Sequence, residues 1–244
     1  MLLAWIAVFS ILGSVGAVAG AALMLAFPER VRKLVVPLLI SYAAGTLLGA
    51  AFLAMLPAAL KGADPLAVNG AVLAGIVLFF MLEKLVIWRH SHRPGNPARA
   101  PAAPLILIGD ALHNFIDGIV IAAAFLTAVP LGITAALAVI SHEVPQEVGD
   151  FAILLESGYG RAKALALNTL SASATLPGAI LAYFWLAEMA AVVPYVLAIS
   201  AASFIYIATA DLLPGLHRNV TAATSLRQLG LLLAGIGTIA AFHG

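Results

Sequence analysis

The apolar positions of this chain neither alternate nor recur as narrow stripes; they run on without interruption. A helix needs about 20 apolar residues to cross the hydrocarbon of a bilayer. Runs of that length fall at 2–27, 34–60, 66–88, 104–126, 130–155, 162–186, 190–213 and 222–242. The polar breaks between them are short: PERVRK (28–33), KGADP (61–65), WRHSHRPGNPARAPA (88–102), TAVP (127–130), SGYGRAK (157–163) and PGLHRNV (214–220). The pattern predicts an all-α integral membrane protein of eight transmembrane helices. No break would hold a soluble domain, so residues 1–244 read as one polytopic transmembrane domain. The first run lacks a positive leader and is too long for a signal segment, so it is expected to be retained as a helix.

Composition agrees with the pattern. Hydrophobic residues make up 63% of the 244 and charged residues 9%, against about 25% charged in a soluble domain. Such a chain has too little polar surface to cover a soluble core. The net charge of +1 offers nucleic acid no basic patch, and the absence of cysteine removes disulfides and thiolate metal ligands from consideration. The lipid bilayer is the expected surrounding. The Lys and Arg residues, few as they are, set an orientation. Arg30, Arg32, Lys33, Lys84, Arg89, Arg93, Arg99, Arg161, Lys163, Arg218 and Arg227 fall at one side and Lys61 alone at the other. The crowded side is expected to be the cytoplasm, with both termini outside it, in a multi-pass protein of the cell membrane. Span 2 ends MLPAAL (55–60) and span 7 ends DLLPGL (211–216). The match is compatible with an inverted repeat of spans 1–3 and 6–8, a 3+2+3 arrangement.

Charged groups inside a membrane cost several kcal/mol each, yet two consecutive spans collect them. Span 4 carries GDALHNFIDG (109–118) and span 5 carries SHEVPQEVGD (141–150). Asp110, His113, Asn114 and Asp117 are at helical offsets that share a stripe roughly 100° wide. His142, Glu143, Gln146, Glu147 and Asp150 share a face of about 140°. The short turn between the spans makes them antiparallel, which puts His113, Asp117, His142 and Gln146 at one depth, roughly 17–26 Å from that turn. Imidazole, carboxylate and amide oxygen together suit a borderline divalent cation: Zn²⁺ first, with Fe²⁺, Mn²⁺ or Cd²⁺ as further possibilities. Asp110, Glu147 and Asp150 continue towards the cytoplasm as a possible pathway. Pro145 should release the Ser141 carbonyl and kink span 5, and Gly118 and Gly149 should admit close backbones. Asp211 is expected to be a structural partner, Glu83 and Lys84 to snorkel, and the His90/His92 pair in the 88–102 loop to be solvated.

HNFIDG and HEVPQEVGDF resemble the paired fourth- and fifth-helix motifs of the ZIP (Zrt/Irt-like) metal-ion transporters, nearest the subgroup with HNxxDG and HExPHExGDF. The resemblance implies transport of a divalent metal ion, most of all zinc, into the cytoplasm, with the ion as substrate and no enzymatic activity. It further implies a scaffold of spans 2, 3, 7 and 8 beside a mobile group of 1, 4, 5 and 6, and a possible homodimer. Carried over by position, His113, Asp117, His142 and Gln146 would form one metal position. Asn114, Asp117, Glu143 and Gln146 would line a second, bridged by Asp117. The chain departs from the family at position 146, usually His or Glu, and in span 2, where AMLP followed by Ala58 replaces HLLPE. A neutral Gln ligates weakly, so the second ion is expected to be weak or absent. The alternative of another class is an intramembrane metal-dependent hydrolase, since His142-Glu143 resembles the start of HExxH; Gln146 stands where that motif needs its second His.

Overall fold

The computed structural model describes residues 1–91, 102–217 and 221–243, and the described residues form eight long helices. These are α1 (Leu2–Ala26), α2 (Glu29–Gly62), α3 (Pro65–Ser91), α4 (Ala102–Thr127), α5 (Val129–Glu156), α6 (Arg161–Glu188), α7 (Ala190–Leu216) and α8 (Ala222–His243). Each corresponds to one apolar run of the sequence, and the connections are short enough to send successive helices in opposite directions. Ala128 alone joins α4 to α5, in extended conformation. Seven of the helices are long and apolar enough to cross a membrane on their own. The exception is α5, where His142, Glu143, Gln146, Glu147 and Asp150 crowd one half of an otherwise apolar helix. Part of the 88–102 connection, His92 included, lies outside the described residues.

Two helices depart from α geometry in the same way. A widened turn at Ala50–Met55 in α2 is followed at once by Leu56 and Pro57, and one at Ile207–Leu212 in α7 by Leu213 and Pro214. Proline has no N–H to donate to the carbonyl four residues back, and a widened turn accommodates the mismatch. Earlier in each half, α1 has a widened turn at Leu12–Gly16 and α6 a break at Ser173 and Ala174. By contrast α3 and α8 run without a break.

The helices pack in two groups. In one, α4 lies against α5 and α6, while α1 packs on α5 and α6; in the other, α2 pairs with α8 and α3 with α7. The groups meet chiefly where α5 crosses α2. Two close approaches depend on glycine. A Cβ at Gly118 of α4 would run into the Thr175 carbonyl of α6, and one at Gly178 into the Phe115 carbonyl. Gly45 and Gly235 clamp α2 to α8 in the same manner. Gly149 does not act this way: it faces open space, with nothing within 4 Å of where its Cβ would be. The motif's second glycine therefore admits no neighbouring backbone, contrary to expectation.

Candidate metal centre

Helices α4 and α5 bring four donor atoms to one point. His113 Nε2 lies 3.1 Å from His142 Nε2, 3.4 Å from Glu143 Oε1 and 3.7 Å from Asp117 Oδ2. His142 Nε2 lies 3.3 Å from Asp117 Oδ2 and 3.5 Å from Glu143 Oε1. A tetrahedral ion with bonds of about 2.0–2.1 Å sets its donors about 3.3–3.4 Å apart. The five separations scatter around that value, so the cage has the size of a zinc-like cation. Its chemistry agrees as well, because two imidazoles supply borderline nitrogen and two carboxylates balance a 2+ charge.

The donors are held in the state a metal requires. His142 Nδ1 is 3.0 Å from the Ala138 carbonyl. A carbonyl only accepts, so Nδ1 carries the proton and Nε2 turns its lone pair into the cage. Two imidazole nitrogens facing each other at 3.1 Å repel unless a cation or a proton lies between them. Asp117 Oδ2 and both Glu143 oxygens are buried with no hydrogen-bond partner among the described residues. A buried carboxylate oxygen without a partner is costly, and a bound cation would remove that cost.

The remaining predicted residues are nearby, in other roles. Asn114 is buried and fully engaged: its Nδ2 donates to Asp110 Oδ1 at 3.0 Å and to the Asp110 carbonyl at 3.2 Å, while its Oδ1 accepts from Thr175 Oγ1 at 2.8 Å. Gln146 Nε2 points to Asp110 Oδ1 at 3.4 Å. The structure therefore pairs Gln146 with Asp110 and puts Glu143 in the cage, where the family pattern would have Gln146. Glu147 is buried and accepts a hydrogen bond from Asn168 Nδ2 of α6. Asn168 and Thr175 reach the α4–α5 pair from a third helix. The sequence shows them as polar residues in an apolar run, with no spacing that ties them to Glu147 or Asn114.

Among the described residues, the centre opens beside His113. His113, with 23% of its side chain exposed, faces two cavities. One, of about 330 Å³, is walled by Gly109, Asp110, Gln146, Asp150 and Asp211. The other, of about 450 Å³, passes Ile108, Asp117, Glu83, Tyr206 and Asp211. Asp211 thus belongs to the cavity wall, and Glu83 turns inward to accept a hydrogen bond from Tyr206 instead of snorkelling. Towards the α4–α5 turn the same two helices are closed, with Ile121, Phe125, Leu131, Ala135 and Val139 buried to 1% or less.

Comparison with known proteins points the same way. A family model described as ZIP Zinc transporter matches residues 90–243. The chain is 31% identical to the zinc transporter zipt-7.2 of Caenorhabditis elegans, over 81% of this chain and 56% of that protein. It is 35% identical to the zinc transporter ZIP13 of Pongo abelii, over 84% of this chain and 66% of that one. With the zinc transporter YKE4 of Saccharomyces cerevisiae the identity is 30%, over 80% and 65%. This chain thus spans between roughly half and two thirds of the length of these relatives. The matched region contains both helices of the centre and the four donors they converge, and the chain belongs to the ZIP zinc transporter family.

Proposed function

We propose that this protein moves a divalent metal ion, foremost Zn²⁺, across a cell membrane towards the cytoplasm, through the centre between α4 and α5. The carrying observation is the four-donor cage of His113, Asp117, His142 and Glu143, buried at mid-helix and reachable from one end through His113. Two carboxylates cancel the ion's charge, and a neutral assembly is the form in which an ion tolerates a low-dielectric interior. The relatives named above are zinc transporters, which favours zinc over the other ions that an N₂O₂ cage accepts. Hydrolysis would need a coordination position left for water, and four protein donors fill a tetrahedral ion.

In this reading α5 is the eighth span, its polar half sheltered by α1, α2 and α4. The shared order of interruptions in α1–α3 and α6–α8 supports the inverted repeat and the 3+2+3 arrangement. The two packing groups, 1-4-5-6 and 2-3-7-8, are those expected of a mobile unit and its scaffold. The charge split supports cytoplasmic cavities and termini outside, and the homodimer that the resemblance implies completes the reading. The test is uptake by purified protein in liposomes across Zn²⁺, Fe²⁺, Mn²⁺ and Cd²⁺, with His142→Ala in parallel. Zinc should enter with wild type and not with the variant at equal protein fold. Equal uptake by both would remove the centre from the pathway.

A further inference from the structure

His113 faces two cavities of opposite character, and only one of them suits an ion. The cavity of about 330 Å³ is bordered by Asp110, Gln146, Asp150 and Asp211. The cavity of about 450 Å³ lies between α3, α4 and α7 and is walled mostly by Leu, Ile and Phe. Helices α3 and α4 barely touch, so this second cavity has a side mouth between them. Leu82 and Leu85 of α3 and Ile108 and Leu112 of α4 line it, and each is at least 40% exposed. All four belong to membrane-spanning segments, where an exposed Leu or Ile borders hydrocarbon and not water. The cavity is also amphipathic along its depth. Ile116, ten residues into the stretch that begins at Ile106, lies about 15 Å from that end. The two carboxylates in the wall lie near the membrane boundary: Glu83 two residues from the end of its apolar stretch at Leu85, and Asp211 five from the end of α7 at Leu216. Tyr206 donates a hydrogen bond to Glu83 and holds that carboxylate in the wall. Among the described residues no Lys or Arg lines the cavity; Lys84, next along α3, lies over the Phe80 ring outside it.

We propose that this cavity is a lipid site. It takes one acyl chain of a lipid from the leaflet on the side of the α3–α4 connection, with the lipid's ammonium headgroup at Glu83 and Asp211. Apolar walls that run inward from an acidic rim match such a lipid from tail to head. An apolar cavity does not hold water well, and one that opens sideways to hydrocarbon is filled by the nearest chain. At the rim, two carboxylates lack a cation from the protein. A protonated amine supplies the charge and N–H donors together, in the stronger, charge-assisted kind of hydrogen bond. An anionic headgroup would be repelled there. The volume falls within the range of small-molecule sites. At the depth of Ile116 the tail would lie beside His113 and Asp117, which line the same cavity. A chain there covers the apolar side of the centre and leaves the acidic cavity as the ion's route. That last step rests on the transport reading; the lipid site itself does not.

The test is photolabelling of the purified full chain in phosphatidylcholine vesicles. These carry either phosphatidylethanolamine or phosphatidylglycerol with a diazirine in one tail, and the labelled residues are mapped by mass spectrometry. In wild type, label from the amine lipid should concentrate on Phe79, Leu112 and Ile116. It should exceed that from the phosphatidylglycerol probe by about tenfold, the worth of one charge-assisted hydrogen bond. Glu83→Gln combined with Asp211→Asn should erase that preference and leave the tail label in place. Leu112→Trp and, separately, Leu85→Trp should block the mouth and remove the label inside, while Cd²⁺ binding between the histidines reports that they fold. Label spread evenly over lipid-facing side chains, or equal label from the two probes in wild type, would overturn the proposal. An unlabelled cavity, as when a second copy of the chain or water occupies it, would do the same. The labelling needs no transport, so loss of zinc uptake with the label intact would overturn the transport reading alone.

Discussion

The two halves of the α4–α5 pair are built from one pair of helices and behave as different materials. Towards the Ala128 turn, residues 120–125 and the Leu131, Ala135 and Val139 positions are apolar, small or aromatic, and closed. Gly132 lies there against the Phe125 ring, in the volume a Cβ would need. Towards the other end the same helices carry Asp110, His113, Gln146 and Asp150 along cavities, and Gly109 and Gly149 face open space. The centre lies at the boundary. The candidate centre is therefore flanked by close-packed apolar side chains on one side and by cavities with acidic walls on the other.

The largest effect expected from this contrast is on stability. Gly132→Val forces the Phe125 ring out of its place and should destabilise the protein by about 1–3 kcal/mol, the cost of overpacking. Gly149→Val enters open space and should lose nothing. Thermal unfolding of the two purified variants compares them; equal melting temperatures would mean that the closed half is not tightly packed. Next comes access. A cysteine at Gly109 should react quickly with a membrane-impermeant thiol reagent, and a cysteine at Ala135, buried completely, should remain unmodified. Reaction of both at similar rates would show that the seal opens readily. The smallest effect concerns Gln146. Its amide makes one long hydrogen bond to Asp110, so Gln146→Ala should weaken Cd²⁺ binding at the histidine cage by at most about tenfold, the worth of one hydrogen bond. A far larger loss would make Gln146 a ligand and move Glu143 out of the cage.

The eight helices were legible along the chain because length and apolarity decide what crosses a bilayer, and both are local properties. The polar faces of spans 4 and 5 were legible for the same reason: offsets of three and four residues put Asp110, His113, Asn114 and Asp117 on one stripe of a single helix. Partnership across helices was not legible. An antiparallel pair can slide by part of a turn or rotate by tens of degrees without changing its sequence pattern. In this protein that freedom is settled between α4 and α5 by the single-residue Ala128 turn and by Gly132 against the Phe125 ring, and between α4 and α6 by Gly118 meeting the Thr175 backbone and Gly178 meeting that of Phe115. The resulting register gives Glu143 to the histidine cage and turns Gln146 to Asp110, and it brings Asn168 from α6 onto Glu147. The residue types chosen for the site were thus set by sequence alone, since imidazole and carboxylate chemistry belongs to the side chain. Which oxygen faces which nitrogen, and which end of the site is open, was decided only by packing, because a distance between two helices is a property of neither helix by itself.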